Sequence, residues 1–132
     1  MLGAILMAVT VSLAQISSRQ LDFEIFRTRV QPIFLDKKPG HARCYVCHSQ
    51  GTPFRLQPLS DGRAAWTEAE SLKNFEAIQR LIVVGDPRKS RLLTMPLAQE
   101  AGGNTFHPGG KRWMSQEDPE WRTLARWVEG ER

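Results

Sequence analysis

Cys44-Tyr45-Val46-Cys47-His48 sets two cysteines three positions apart, with a histidine directly after the second. They are the only two cysteines in the 132-residue chain, so both sulfurs lie in one short stretch and none remains for a disulfide elsewhere. A thioredoxin-like dithiol uses the same C-x-x-C spacing but belongs in a βαβ setting, and the flanks here lack strand patterning. A structural zinc ion asks for four ligands. Cys44, Cys47, His48 and His107 can be collected for it, yet no second C-x-x-C or H-x-x-x-H pair makes that set natural.

With His48 included, the stretch is the C-x-x-C-H attachment signature of a c-type haem. Each sulfur adds across one haem vinyl group, and the next residue gives an imidazole to the iron. Two thioethers must reach neighbouring edges of one flat macrocycle. Two intervening residues let a single helical turn present both sulfurs on one side, and His48 continues that turn toward the metal. One haem c with its iron is therefore expected, with Cys44 and Cys47 as the covalent anchors and His48 as the proximal iron ligand. Axial-ligand identity, hydrogen bonds around the ligands and burial then set the behaviour of the iron.

The beginning of the chain is consistent with this chemistry. Residues 1–14, MLGAILMAVTVSLA, carry no charged side chain and are mostly apolar. They are too few to span a bilayer as a helix, which takes about 20 residues. Ser12-Leu13-Ala14 before Gln15 has the small-x-small form of a signal-peptidase site, although no Lys or Arg precedes the apolar run. An export signal over 1–14 is expected, the competing reading being an N-terminal helix of the folded domain. Export fits the cofactor, because haem is attached to C-x-x-C-H after translocation, and it predicts a periplasmic protein with a possible place at a membrane complex.

Residues 15–132 suit one domain. The formal charge of +4 falls to about +2 with two ionised haem propionates, and a mildly basic surface steers docking to an acidic redox partner. Arg27/Arg29, Lys37/Lys38 and Arg88/Lys89/Arg91 are scattered, which speaks for solvated faces and against nucleic acid.

The patterning predicts an all-α chain. Leu21, Ile25 and Phe26 share a face in a first helix over 21–35, with Asp22 as a cap and Pro32 placed to kink or end it. Phe54-Arg55-Leu56 alternates and predicts a short extended piece over the haem edge. Thr67-x-x-Glu70 reads as a capping box opening a helix over about 67–83, with Ala69, Leu72, Phe75, Ile78, Leu81 and Ile82 as its apolar residues. Residues 90–93 predict a helical turn and 94–112 a loop. Asp118 and Pro119 open a last helix whose stripe is Trp121, Leu124, Ala125 and Val128, with Trp127 beside it. Trp66, Trp113, Trp121 and Trp127 are core residues on this pattern, the other use being interface anchors in a larger respiratory assembly.

Cys44, Cys47 and His48, the 90–93 turn, His107-Pro108-Gly109-Gly110 and the 118–127 helix together resemble the monohaem cytochrome c family. Residues 86–128, DPRKSRLLTMPLAQEAGGNTFHPGGKRWMSQEDPEWRTLARWV, are also similar to single-haem cytochrome domains of planctomycete- and acidobacteria-type bacteria. The resemblance implies a cytochrome c-like small helical domain wrapped around one covalent haem, its first and last helices packed together near the haem edge.

The second axial ligand has three candidates. Met95-Pro96 is the familiar Met-Pro ligand pair, and a thioether there raises the potential; equally, Met95 suits a core filler beside the haem. In the related bacterial domains the ligand loop often reads Met-Pro-x-Gly before the last helix, and His107-Pro108-x-Gly110 holds that register with His in place of Met. Ser115, Asp118 and Trp127 follow in order. This position makes His107 the preferred distal ligand, Met95 the alternative and Met114 the third; His107 against a propionate is the competing role. His41 is too close to Cys44 to reach the opposite haem face.

The expected function is one-electron transfer between periplasmic or membrane-bound redox partners, with no enzymatic activity and no small-molecule substrate. The alternative is a haem enzyme or gas-binding sensor with an open sixth iron position. It would use His107 as a distal group, but the carboxylates are dispersed and supply no acid–base constellation.

Overall fold

A computed structural model describes residues 20–132, and within them the chain is helical, with one isolated parallel bridge between Leu97 and Trp113. The export signal expected over 1–14 lies outside the described residues. No helix among the described residues is long and apolar enough to cross a membrane.

The first helix runs without a break through Phe23–Ile25, Phe26–Val30 and Gln31–Leu35, the middle piece being π-helical. Asp22 caps it, its side chain accepting from the Ile25 N–H at 2.8 Å. Pro32 neither ends the helix nor breaks it. A proline lacks the N–H that an α-turn needs and its ring crowds the carbonyl four residues back. The wider turn just before it, in which the Gln31 N–H reaches the Phe26 carbonyl, makes room for that ring.

Cys44–His48 is a single helical turn. A central helix, Glu68–Gln79, starts at the expected capping box: the Thr67 hydroxyl accepts from the Glu70 N–H, and the Glu70 carboxylate accepts from the Thr67 N–H. It ends at Gln79, short of the expected 83, and its buried face differs from the apolar pattern. Ser71, Asn74 and Ile78 are buried while Leu72 is 46% exposed. The two polar residues can be inside because each has partners. Gln31 Nε2 donates to Ser71 Oγ at 2.9 Å, Asn74 Nδ2 to Gln31 Oε1 at 3.5 Å, and the Gln57 N–H to Asn74 Oδ1 at 2.7 Å. A satisfied amide network outcompetes an apolar side chain for this face.

A short turn, Arg91–Thr94, leads into the long loop, and the last helix is Pro119–Val128, capped by Asp118 with Pro119 at its first position. Trp121, Leu124, Ala125, Trp127 and Val128 are all buried. Trp127 lies 5.6 Å from the Phe26 ring and donates its indole N–H to the Asp22 carbonyl at 2.9 Å, so the last helix is fastened to the start of the first. Phe75 joins the same cluster, 5.3 Å from both Phe23 and Phe26. All four tryptophans are core residues, none more than 6% exposed.

Candidate functional site

The Cys44–His48 turn leaves Cys44 half-buried against the core and Cys47 exposed. Burial pushes the Cys44 thiol pKa up, and the nearby Arg112 charge opposes that shift. His48 is half-buried, its ring 4.9 Å from that of Phe54. Its Nδ1 lies 3.0 Å from the Phe54 carbonyl, which makes Nδ1 the protonated nitrogen and leaves the Nε2 lone pair for a metal.

The segment that supplies this carbonyl is fixed on several sides. The Leu56 N–H returns to the His48 carbonyl at 2.6 Å, and Asn74 holds the Gln57 N–H. The Trp66 indole donates to the Gln57 carbonyl at 2.7 Å, and the Leu59 N–H donates to the Tyr45 hydroxyl at 2.8 Å. The buried amides of the central helix thereby set the position of the group that orients His48. The stretch around Phe54 is bends and coil rather than a strand, with Leu56 fully buried.

His107 belongs to the loop between Thr94 and Asp118, which closes on itself. The Ala98 N–H reaches the Trp113 carbonyl at 2.8 Å, the Arg112 N–H the Pro96 carbonyl at 2.8 Å, and the Asn104 N–H the Thr94 carbonyl at 2.9 Å. Lys111 Nζ donates to the carbonyls of Met95 and Asn104. His107 Nδ1 lies 2.8 Å from the Gly110 carbonyl, and the Gly110 N–H returns to the His107 carbonyl at 3.0 Å. Gly109 and Gly110 have φ of 86° and 87°, which favours glycine and lets this tight turn close. As with His48, Nδ1 is the donor and Nε2 is left for a metal.

The two imidazoles come together: the His48 and His107 ring centroids are 6.3 Å apart and the planes 26° from parallel. Two metal–imidazole bonds of about 2 Å each, with each ring centre roughly 1 Å further back, span about 6 Å. The centroid spacing matches that length. The Met95 thioether lies against the Asn104 side-chain amide, and Met114 is 60% exposed. Among the described residues no group of three or more His, Cys, Asp and Glu side chains is gathered for a metal ion, so the four-ligand set that zinc would need is not assembled.

Arg112, which carried no sequence signal, is buried beside this site. Its Nε and Nη2 grip the Glu120 carboxylate at 2.8 and 2.7 Å, and Nη2 also reaches the Ile33 and Asp36 carbonyls at 3.3 Å. Nη1 is buried without a hydrogen-bond partner among the described residues. The Phe54 carbonyl, Asn74 and Tyr45 also escaped the sequence reading. A backbone acceptor has no side-chain signature, and Asn74 is recognisable only as sharing a face with Ser71 and Ile78 at helical spacing. Comparison of the chain with protein-family models, curated proteins and solved structures finds no match.

Proposed function

We propose that this protein is a one-electron carrier of the cytochrome c type, with one haem c attached through Cys44 and Cys47 and ligated by His48 and His107. The observation that carries the reading is the histidine pair. Both Nδ1 atoms face backbone carbonyls, both Nε2 atoms are left for a metal, and the ring centres stand 6.3 Å apart. Metal-ligating histidines hold their second ring nitrogen in this way, which fixes the tautomer and raises ligand basicity.

Other features support the same reading. The two sulfurs share one turn, one against the core and one at the surface. The first and last helices pack together through Phe26, Trp127 and Asp22, as the resemblance implies. Arg112 Nη1 offers a buried donor for an acceptor that the described chain does not supply.

A haem held there would supply one-electron chemistry between ferric and ferrous iron. The protein's part would be to hold His48 and His107 as its two ligands, an arrangement that would favour a carrier over a gas sensor or enzyme. Two imidazole ligands place the potential below that of a His/Met iron. Cys47 and Val46 are exposed, so a haem attached there would present this edge to a redox partner. Such encounters bury little area, and the basic balance of the chain steers an acidic partner. Export to the periplasm is the setting in which the attachment takes place.

Acid–acetone extraction of protein made in a cytochrome c-maturing host tests the attachment: pigment is expected to stay with the precipitated polypeptide. Carbon monoxide added to the reduced native protein tests the ligation, and the absorption spectrum is expected to remain unchanged. Extractable pigment, or rapid carbon monoxide binding, would overturn the carrier reading.

A further inference from the structure

His48 Nδ1 does not have the Phe54 carbonyl to itself. The Thr52 hydroxyl donates to the same oxygen, and Thr52 Oγ1 also lies 3.2 Å from His48 Nδ1. The protonation pattern decides what these contacts do. When Nε2 of His48 holds a metal, Nδ1 keeps its proton and cannot accept from Thr52. The hydroxyl proton then goes to the Phe54 carbonyl, and a hydroxyl lone pair faces the imidazole N–H. One carbonyl thus takes two donors, and the imidazole N–H is shared between a carbonyl and a weaker hydroxyl acceptor.

We propose that Thr52 raises the reduction potential of the site by weakening the hydrogen bond through which the Phe54 carbonyl makes His48 electron-rich. This rests on the haem reading above. A strong acceptor at Nδ1 gives the ring imidazolate character, and a more basic ligand favours the ferric state. A second donor on that acceptor draws density from its lone pairs and moves the balance the other way. The position of the carbonyl is set independently, through Leu56, Gln57 and Asn74. Removing the hydroxyl therefore changes the strength of the His48 bond while its acceptor stays in place. Thr52 is a positioning and tuning residue: it acts on the iron through His48, and its hydroxyl reaches no other described group.

The test compares the wild-type holoprotein with Thr52→Val and Thr52→Ser by spectroelectrochemical titration, and follows the hyperfine-shifted His48 Nδ1–H resonance of the ferric form. Thr52→Val is expected to retain covalent haem and the low-spin spectrum, to lower the midpoint potential and to move the Nδ1–H resonance. Thr52→Ser keeps a hydroxyl and is expected to restore both toward wild type. A merely structural threonine would alter thermal stability while leaving the potential and the resonance alone. An unchanged or raised potential in Thr52→Val, with haem attached in both proteins, overturns this proposal alone. Wild-type protein that never acquires haem overturns it together with the reading it rests on.

Discussion

The imidazoles of His48 and His107 stand 6.3 Å apart, and each is held by a backbone carbonyl close in its own chain segment: Phe54 for His48 and Gly110 for His107. The two segments are independently closed, so each ring is held by its own segment. On the proposed haem reading, His107→Ala is expected to keep the haem attached through Cys44 and Cys47 and to lose one of the two histidine ligands, giving a high-spin ferric spectrum and a ferrous form that binds carbon monoxide. Met95→Ala is expected to stay low-spin, since the proposed ligands are His48 and His107. The reverse outcome, with Met95→Ala losing the ligand, would transfer the distal role to the methionine.

Arg112 and Glu120 brace three parts of the fold. The guanidinium joins the end of the first helix to the start of the last, and the Trp113 indole also donates to Glu120 at 2.9 Å. Removing the acid strands a buried positive charge, so Glu120→Ala is expected to cost about 3 kcal/mol, at the low end for a broken buried pair because Glu120 is partly exposed. Arg112→Met is expected to cost less. Its methylene-like stem still fills the space, and the carboxylate keeps Trp113 and Lys38 as partners. Urea unfolding followed by circular dichroism checks the order of the two variants; a costlier Arg112→Met would contradict it.

Gly103 is the tight point of the loop that carries His107. A Cβ there would lie 1.9 Å from the Leu97 carbonyl oxygen, and backbone cannot step aside as a flexible side chain does. Gly103→Ala is expected to cost about 2–3 kcal/mol and, on the proposed haem reading, to raise the high-spin fraction by shifting the loop. Gly51→Ala, where a Cβ meets nothing within 4 Å and φ is ordinary, is the control and is expected to be near neutral. Equal thermal midpoints for the two variants would show that the loop tolerates the displacement.

What could be seen in the sequence divides along the distance between interacting residues. Asp22, the Thr67–Glu70 box and Asp118-Pro119 were legible because a cap bonds within three residues of itself. Cys44, Cys47 and His48 stand within five positions, so their grouping on one turn was legible. The buried face of the central helix was not: Leu72 has the better hydropathy, but Ser71 and Asn74 meet Gln31 some 40 residues earlier in the chain. Pro32 announced a disturbance without its form, since a π-turn and a kink both relieve the same clash. His107 was visible only through its register before the last helix. Its approach to His48 is a tertiary fact, and Arg112 gave no sign because two of its partners are backbone carbonyls more than 70 residues earlier and the third is a carboxylate eight residues on.

The capping box of the central helix gives a pH dependence of known sign. The Thr67 backbone N–H and hydroxyl, in that order, hold the Glu70 carboxyl below the usual glutamate range, against a smaller opposing effect of desolvation. A carboxyl depressed in the folded state stabilises the fold fully above its unfolded pKa, and that contribution disappears as pH falls through the folded value. Glu70→Gln removes the ionisable partner. The stability margin of wild type over Glu70→Gln is therefore expected at neutral pH and expected to vanish on acidification below the folded pKa of Glu70. Thr67→Ala deletes the other half of the box and is expected to cost about 1 kcal/mol at neutral pH. Urea midpoints for the three proteins across the acidic range measure both effects. A wild-type margin over Glu70→Gln that held constant or grew toward acid would show that the Glu70 charge contributes nothing to the cap.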